Sequence, residues 1–410
     1  MSERKYYFDW LRVIAMLCVF VFHCTRFFDN EGWHLKAPLA QQNDILGTAR
    51  GLVLWVWLME LFFLAAGFAT FYALRSRSPG QYLLERVKRL LIPLYIVGMF
   101  VLVVPQFYFE LLSHGKITVA FWQWLPDFYR GLPGSLLSAN PLISPVNLIP
   151  YTFSGHLWFI QMLFLISLVF LPLILFLGSE HGKRFVARLA GWAAGPGGIF
   201  LFVIPLALAR VALNWLPVYS DHTWGDFLWY GFYFVIGFII AGDERFVESM
   251  KKYTWQCLGL WIVLFVGVGG ALQFALNANL DRGHGFSLVY AIWQVVYSVV
   301  SWSSIVFLVS LGAQHLNFAN RFLAYSNEAV LPFYVFHQTI ILIVGWFVLP
   351  WQIGALAKFA IIAAISFPVI MILYEGLVRH IGFMRFPFGM APLKKQPAVP
   401  QPVTPVPRKV

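Results

Sequence analysis

Two ionisable side chains, Arg12 and His23, stand eleven residues apart in an apolar run that would otherwise suit hydrocarbon. On a helix that separation is about three turns and roughly 16 Å, so the two side chains lie on similar faces, the guanidinium near one end and the imidazole deeper. Ionisable groups inside a bilayer are costly and face a polar interior, which makes them the primary functional signal here. A guanidinium fork suits phosphate oxygens, and an imidazole suits proton transfer. The plainer alternatives are an arginine snorkelling to headgroups, with Asp9 as its i,i+3 partner, and a hydrogen-bonded structural histidine. Arg86 and Arg89 have R-x-x-R spacing ahead of another apolar run. Alone they read as a membrane anchor; beside Arg12 at the same depth they form a phosphate-binding mouth. Arg210, well inside an apolar run, needs a partner or an aqueous cavity and is a candidate for the donor's charged portion.

The remaining candidates fall toward the opposite face. His34 lies in GWHLK, His156 in SGHLWF and His337 in FYVFHQT, each with a structural role as its alternative. Glu60 sits where its carboxylate could orient His23 as a base, or be buried and protonated. His156, His337 and Trp158 are candidate donors to a developing oxyanion. Trp33, His34 and Trp158, with Trp122, Trp124, Phe128, Tyr129 and Tyr151 in a long outward loop over 112–155, make either an interfacial aromatic belt or a platform for a carbohydrate. The histidines are dispersed and lack tight i,i+4 or cysteine partners, so no metal site is expected.

These side chains must be positioned by membrane helices. With 60% hydrophobic and 11% charged residues in 410, the chain has too little polar surface to cover a soluble globule. Apolar stretches of roughly twenty residues, each able to cross about 30 Å of hydrocarbon, recur from end to end. They predict an all-α integral membrane bundle of ten helices at 9–28, 51–74, 89–111, 156–178, 197–216, 226–242, 254–275, 287–312, 325–349 and 353–378. The first run contains Arg12 and His23 and lacks a small-residue cleavage site, so it is read as an uncleaved helix. Arg75, Arg77, Arg86, Lys88, Arg89, Lys183, Arg184, Arg188, Arg245, Lys251 and Lys252 crowd the loops on one side, which by the positive-inside rule places both termini in the cytoplasm. The net charge of +11 is scattered over those loops, so topology rather than nucleic acid accounts for it. Residues 1–390 form the membrane domain, and the proline-rich APLKKQPAVPQPVTPVPRKV at 391–410 a disordered cytoplasmic tail. Cys18, Cys24 and Cys257 show neither disulfide nor zinc spacing and read as small hydrophobes.

Asp9-x-x-Arg12 followed by ten residues and His23 resembles the first-helix signature of the acyltransferase 3 family of membrane acyltransferases. LFFLAAGF at 61–68 resembles its second-helix LFFxxSGF, Arg86-x-x-Arg89 ahead of Pro93 its R-x-x-R, and HLWF at 156–159 its mid-chain motif. Ala66 stands where the family often has serine, and Glu60 has no acidic counterpart in the pattern. Within the family the chain looks most similar to the glucans biosynthesis protein C group, through Trp33-His34, SGHLWF, Arg210, SNEAVLPFYVFHQ at 326–338 and ILYEGLVR at 372–379. The resemblance implies an acyl-CoA cosubstrate, with Arg12, Arg86 and Arg89 near the nucleotide phosphates and His23 as catalytic histidine. For the glucan group it further implies succinyl-CoA as donor, a periplasmic glucan as acceptor and a bacterial inner membrane as location.

The residues and the resemblance agree on a thioester threading inward from the cytoplasm while a hydroxyl approaches from outside and His23 removes its proton. The rival class is a proton-coupled secondary transporter, since ten helices with buried Arg, Glu and His also describe a carrier. Consumption of thioester separates the two.

Overall fold

Along α1 (Tyr6–Thr25) the exposed apolar residues Ile14, Leu17 and Val21 recur at i, i+3 and i+7, while Leu11, Ala15, Met16 and Val19 are buried. One stripe of the helix therefore faces lipid and the other the interior of a bundle. The structure is a computed structural model describing residues 4–29, 32–38, 42, 46–47, 56–137, 148, 155–213, 222–269 and 288–393. Every regular element among the described residues is helical. Tyr151 and most of the expected tail lie outside them.

Among the described residues six runs are long and apolar enough to cross a membrane: α1, α3 (Pro79–Ser113), α9 (Trp224–Gly242), the run Tyr290–His315, α13 (Arg321–Val348) and the run Ala355–Arg379. A bent pair, α5 (Trp158–Val169) and α6 (Leu171–Gly178), makes a seventh if it is one span; its halves meet at 54°, with Pro172 in the first turn of α6. The other three expected spans are represented by shorter helices: α2 (Leu58–Leu74), α8 (Val203–Leu213) after a tight turn, and α11 (Thr254–Ile262) continued by a π-helical stretch. Each of these three expected ranges runs into residues outside the described set.

The segment expected as an outward loop contains a helix, α4 (Phe121–Leu137), that carries Pro126 and Pro133 inside it. Two prolines hid that helix from sequence reading. Trp124 and Phe128 are buried, Trp124 against Tyr108, whereas Trp122 and Tyr129 are exposed. Two amphipathic helices, α7 (Glu180–Ala194) and α10 (Arg245–Lys252), carry much of the basic charge read as loops. The long helix α12 (Leu288–His315) packs against both α8 and α11.

The backbones of α2 and α9 approach each other closely. A methyl group at Gly67 would lie 1.7 Å from the Phe234 carbonyl oxygen, and one at Gly237 would lie 2.0 Å from that of Leu64. Neither position has room for a Cβ, and the two glycines bring the helix backbones together as small residues do in membrane bundles.

Candidate active site

Three histidines converge from three elements. His23 comes from the last turn of α1, His156 from the turn just before α5, and His337 from the middle of α13. The His337 ring lies between the other two, with centroids 4.8 Å from each. His337 and His156 are fully buried and His23 is half-buried.

Their partners assign the tautomers. His337 Nδ1 lies 2.6 Å from the Tyr334 carbonyl oxygen. A carbonyl only accepts, so Nδ1 carries the proton and Nε2 of the neutral ring is bare. His23 Nδ1 is 2.9 Å from the Val19 carbonyl and 3.2 Å from that bare His337 Nε2. It therefore donates, bifurcated between the two, and leaves His23 Nε2 unprotonated. Among the described residues nothing bonds this Nε2, which is the atom placed to take a proton. His156 Nε2 donates to the Val335 carbonyl at 3.2 Å, and its buried Nδ1 has no partner among the described residues.

Tyr334 ties this cluster to a cavity. Its hydroxyl donates to the His156 carbonyl, its own carbonyl receives His337, and its side chain lines a cavity of about 750 Å³. That volume is in the range of small-molecule sites, roughly 300–1,000 Å³. The other lining residues include Met59, Phe62, Phe159, Ile160 and Leu163, and at the basic face Arg4, Arg12, Arg77, Arg86 and Arg89 with the single carboxylate Glu85. On α13 the wall is Asn327, Val330, Leu331 and Tyr334, an i, i+3, i+4, i+7 stripe. Ala66, where the family pattern has serine, is also on the wall.

The arginines are held rather than loose. Arg12 Nη2 donates to Asn327 Oδ1 at 2.5 Å and lies 3.4 Å from Asp9. Arg86 Nη2 donates to Thr70 Oγ1 at 2.8 Å, with its guanidinium 4.9 Å from the Tyr82 ring centroid. Arg89 pairs loosely with Glu85 at 3.6 Å. The R-x-x-R pair is not on one regular helical face: α-helical geometry ends at Arg86, and Arg89 falls in the π-helical turn Val87–Leu91. Both side chains nonetheless reach the same cavity.

On the far side of the histidines, Trp33 packs 6.2 Å from His23 and 5.8 Å from His34. His34 Nδ1 contacts the Glu110 carboxylate, and its Nε2 accepts from the Gln338 amide at 2.9 Å. Gln338 follows His337 directly and also donates to Gln106 at 3.2 Å. His34 thus belongs to a polar network adjoining the histidine cluster. Trp158 instead stacks on His222 at 3.9 Å and neighbours Tyr230.

Two expected residues stand apart. Glu60 is not bonded to His23: its Oε1 accepts from Trp229 Nε1 at 3.1 Å, and its buried Oε2 has no partner among the described residues. The physical reason is rotation about α2, which turns Glu60 toward α9 while Met59 and Phe62 face the cavity. Arg210 joins Glu60's neighbourhood rather than the arginine mouth. Its guanidinium lies 4.8 Å from Trp229 and 4.2 Å from Tyr297, and its Nε donates to Gln294 at 2.7 Å.

Sequence reasoning missed Asn327, Tyr334, Gln338 and Thr70. Asn327, Tyr334 and Gln338 lie in the SNEAVLPFYVFHQ segment, where the helical stripe ending at Tyr334 was available as a signal. Among the described residues, no group of three or more His, Cys, Asp or Glu could hold a metal ion.

Ionisable groups among several apolar spans, beside a cavity with a cationic face, mark a multi-pass membrane protein. The Acyltransferase domain family, Acyl_transf_3, matches residues 5–375. The match covers most of the chain, which therefore belongs to the acyltransferase 3 family, as the first-helix signature and its companions indicated. Comparison with curated proteins and with solved structures gave no match.

Proposed function

We propose that this membrane acyltransferase takes an acyl group from a cytoplasmic acyl-CoA and passes it to a hydroxyl of a cell-envelope carbohydrate, with His23 as the base. The observation that carries the reading is the single cavity joining five arginines at one face to Tyr334, which touches both His156 and His337. Arg12, Arg86 and Arg89 offer forks to the donor's phosphates. The thioester arm then lies along the apolar wall toward Tyr334.

In the reaction, His23 Nε2 removes the proton from the acceptor hydroxyl as that oxygen bonds to the thioester carbonyl carbon. The tetrahedral intermediate collapses with cleavage of the carbon–sulfur bond. The coenzyme A thiolate takes the proton back from His23, which regenerates the neutral base. His337 Nε2 accepts from His23 Nδ1–H throughout, so the resting ring keeps Nε2 bare and the ring holds its orientation once Nε2 is protonated. We assign succinyl as the acyl group and a periplasmic glucan as the acceptor, in a bacterial inner membrane with both termini cytoplasmic; the glucan-group resemblance supports these finer assignments. Trp33 and His34 flank His23 on the acceptor side of this scheme.

The test is purified protein in nanodiscs with succinyl-CoA and a periplasmic-type β-glucan, followed by thiol release and glucan mass. Wild type adds a succinyl-sized mass, and His23→Ala loses about 10²- to 10⁴-fold in rate, the usual worth of a general base. Thiol release with another acyl-CoA but no glucan product would overturn the assigned substrates. No donor consumed by folded protein would overturn the transferase assignment.

A further inference from the structure

We propose that the nucleoside end of the donor binds in a separate side cavity of the basic face, lined by Tyr7, Phe68, Phe71 and Tyr72 together with the acidic residues of the α9–α10 junction. This rests on the acyl-CoA reading above and assigns the part of the donor beyond its phosphates.

The side cavity has a volume of about 240 Å³. A third space, of about 320 Å³, lies between it and the main cavity: Lys5, Phe68 and Tyr72 are shared on one side, and Arg4, Arg12, Ala69 and Tyr72 on the other. Tyr72 lines all three, so the three spaces adjoin at its ring. A coenzyme A thioester is longer than the drug-sized molecules that fill one cavity of roughly 300–1,000 Å³. With the acyl end at Tyr334 and the phosphates at the arginines, the nucleoside must continue past them.

Charge assigns the two ends. The main cavity presents five arginines against one carboxylate, a field that draws phosphates to it first. The side cavity balances Lys5, Arg75 and Lys251 against Asp243, Glu244 and Glu248. It therefore has little net attraction for phosphate, but it has aromatic faces for a base and carboxylates to accept from an exocyclic amine or ribose hydroxyl. Asp243 is already committed: hydrogen bonding to Arg245, at 2.7 Å for the closer pair, holds its carboxyl below the usual range. Among the described residues the Glu244 and Glu248 carboxylates pair with lysines, Lys5 at 2.7 Å and Lys251 at 2.8 Å, and both are mostly exposed. Those are pairs a ligand can rearrange at small cost.

The experiment compares two donors carrying the same acyl group, the acyl-CoA and the acyl-phosphopantetheine that lacks the nucleotide. It uses full-length wild type, Phe71→Leu and Glu248→Gln. Phe71 lines the side cavity and not the main one, and Glu248 is exposed enough that its amide should leave the fold intact. Stacking of a base on an aromatic side chain predicts that Phe71→Leu lowers kcat/KM for acyl-CoA about tenfold, with the loss confined to that donor. Glu248→Gln should follow in the same direction. Equal losses with both donors, or a wild type that does not distinguish them, overturn the proposal. Binding of adenosine 3′,5′-bisphosphate alone, measured by calorimetry, separates this from the transferase reading. If wild type consumes neither donor, the reading of the reaction fails; binding weakened by Phe71→Leu still supports the subsite, and binding unchanged by it overturns the subsite.

Discussion

His337 is assigned a positioning role, and that role has a calculable size. When His23 takes the acceptor's proton, its Nδ1–H bond to His337 Nε2, 3.2 Å in the resting arrangement, becomes charge-assisted. Hydrogen bonds to charged groups are worth about 1.5–3 kcal/mol. At 1.36 kcal/mol per decade, removing this one should slow the chemical step about ten- to 150-fold. His337→Leu is of similar volume and deletes the acceptor, while His337→Gln retains an amide oxygen that can take its place. Thiol release measured with both substrates saturating should show kcat falling by that factor for Leu and largely recovering for Gln. The donor KM should stay within about twofold, because His337 does not line the arginine cavity. The reasoning is refuted if folded His337→Leu keeps kcat within about threefold of wild type, or if Gln is as impaired as Leu. A KM rise without a kcat loss would instead make His337 part of the donor site.

Asn327→Leu removes the amide oxygen that holds Arg12 and should raise the acyl-CoA KM about tenfold with kcat little changed, measured by initial-rate thiol release. Gly67→Ala should destabilise by about 1–3 kcal/mol or more, because its methyl would stand 1.7 Å from the Phe234 carbonyl; an unchanged thermal midpoint in detergent would contradict the close approach of α2 and α9. Glu328 accepts from the buried Arg385 at 2.7 Å and lies 3.6 Å from Arg379, so Glu328→Gln should cost about 1–3 kcal/mol. Because that cost is chiefly a guanidinium left without its partner, Arg385→Met in the same chain should make Glu328→Gln nearly silent in thermal unfolding.

The sequence carried the site in its motif order more than in its helix count. Arg12, His23 and His337 announced themselves as polar groups where hydrocarbon was expected, and Arg86 and Arg89 by their R-x-x-R spacing; the structure brings the arginines to one cavity and the histidines to one cluster. Glu60 gave the same signal and misled about its partner. Depth along a helix follows from counting residues, but the neighbour a side chain meets depends on the rotation of α2, which is set by the Gly67 and Gly237 approach to α9. SNEAVLPFYVFHQ and ILYEGLVR entered only as resemblance, and their physical sense needed packing. Glu328 and Arg379 meet across them, and Arg385, outside both, completes the cluster. The Ala66 departure could not be weighed from sequence either; the structure puts this position on the wall of the arginine cavity.

The distance between donor clamp and base is a property of two backbones. Arg12 meets Asn327, and His23 meets His337. The members of the first pair precede those of the second by eleven residues on α1 and ten on α13, so the two helices run parallel in matched register. At 1.5 Å per residue both intervals are about 15–16 Å. A register shift of either helix would break both contacts together, whereas a side-chain change at one end leaves the other in place. In the proposed reaction, substitutions at Asn327 should therefore fall on donor affinity and substitutions at His337 on turnover, because about three helical turns separate the two contacts. Tyr334 sits within that interval on the wall of the cavity and in contact with the histidines, so in the proposed reaction it stands between the donor's site and the base.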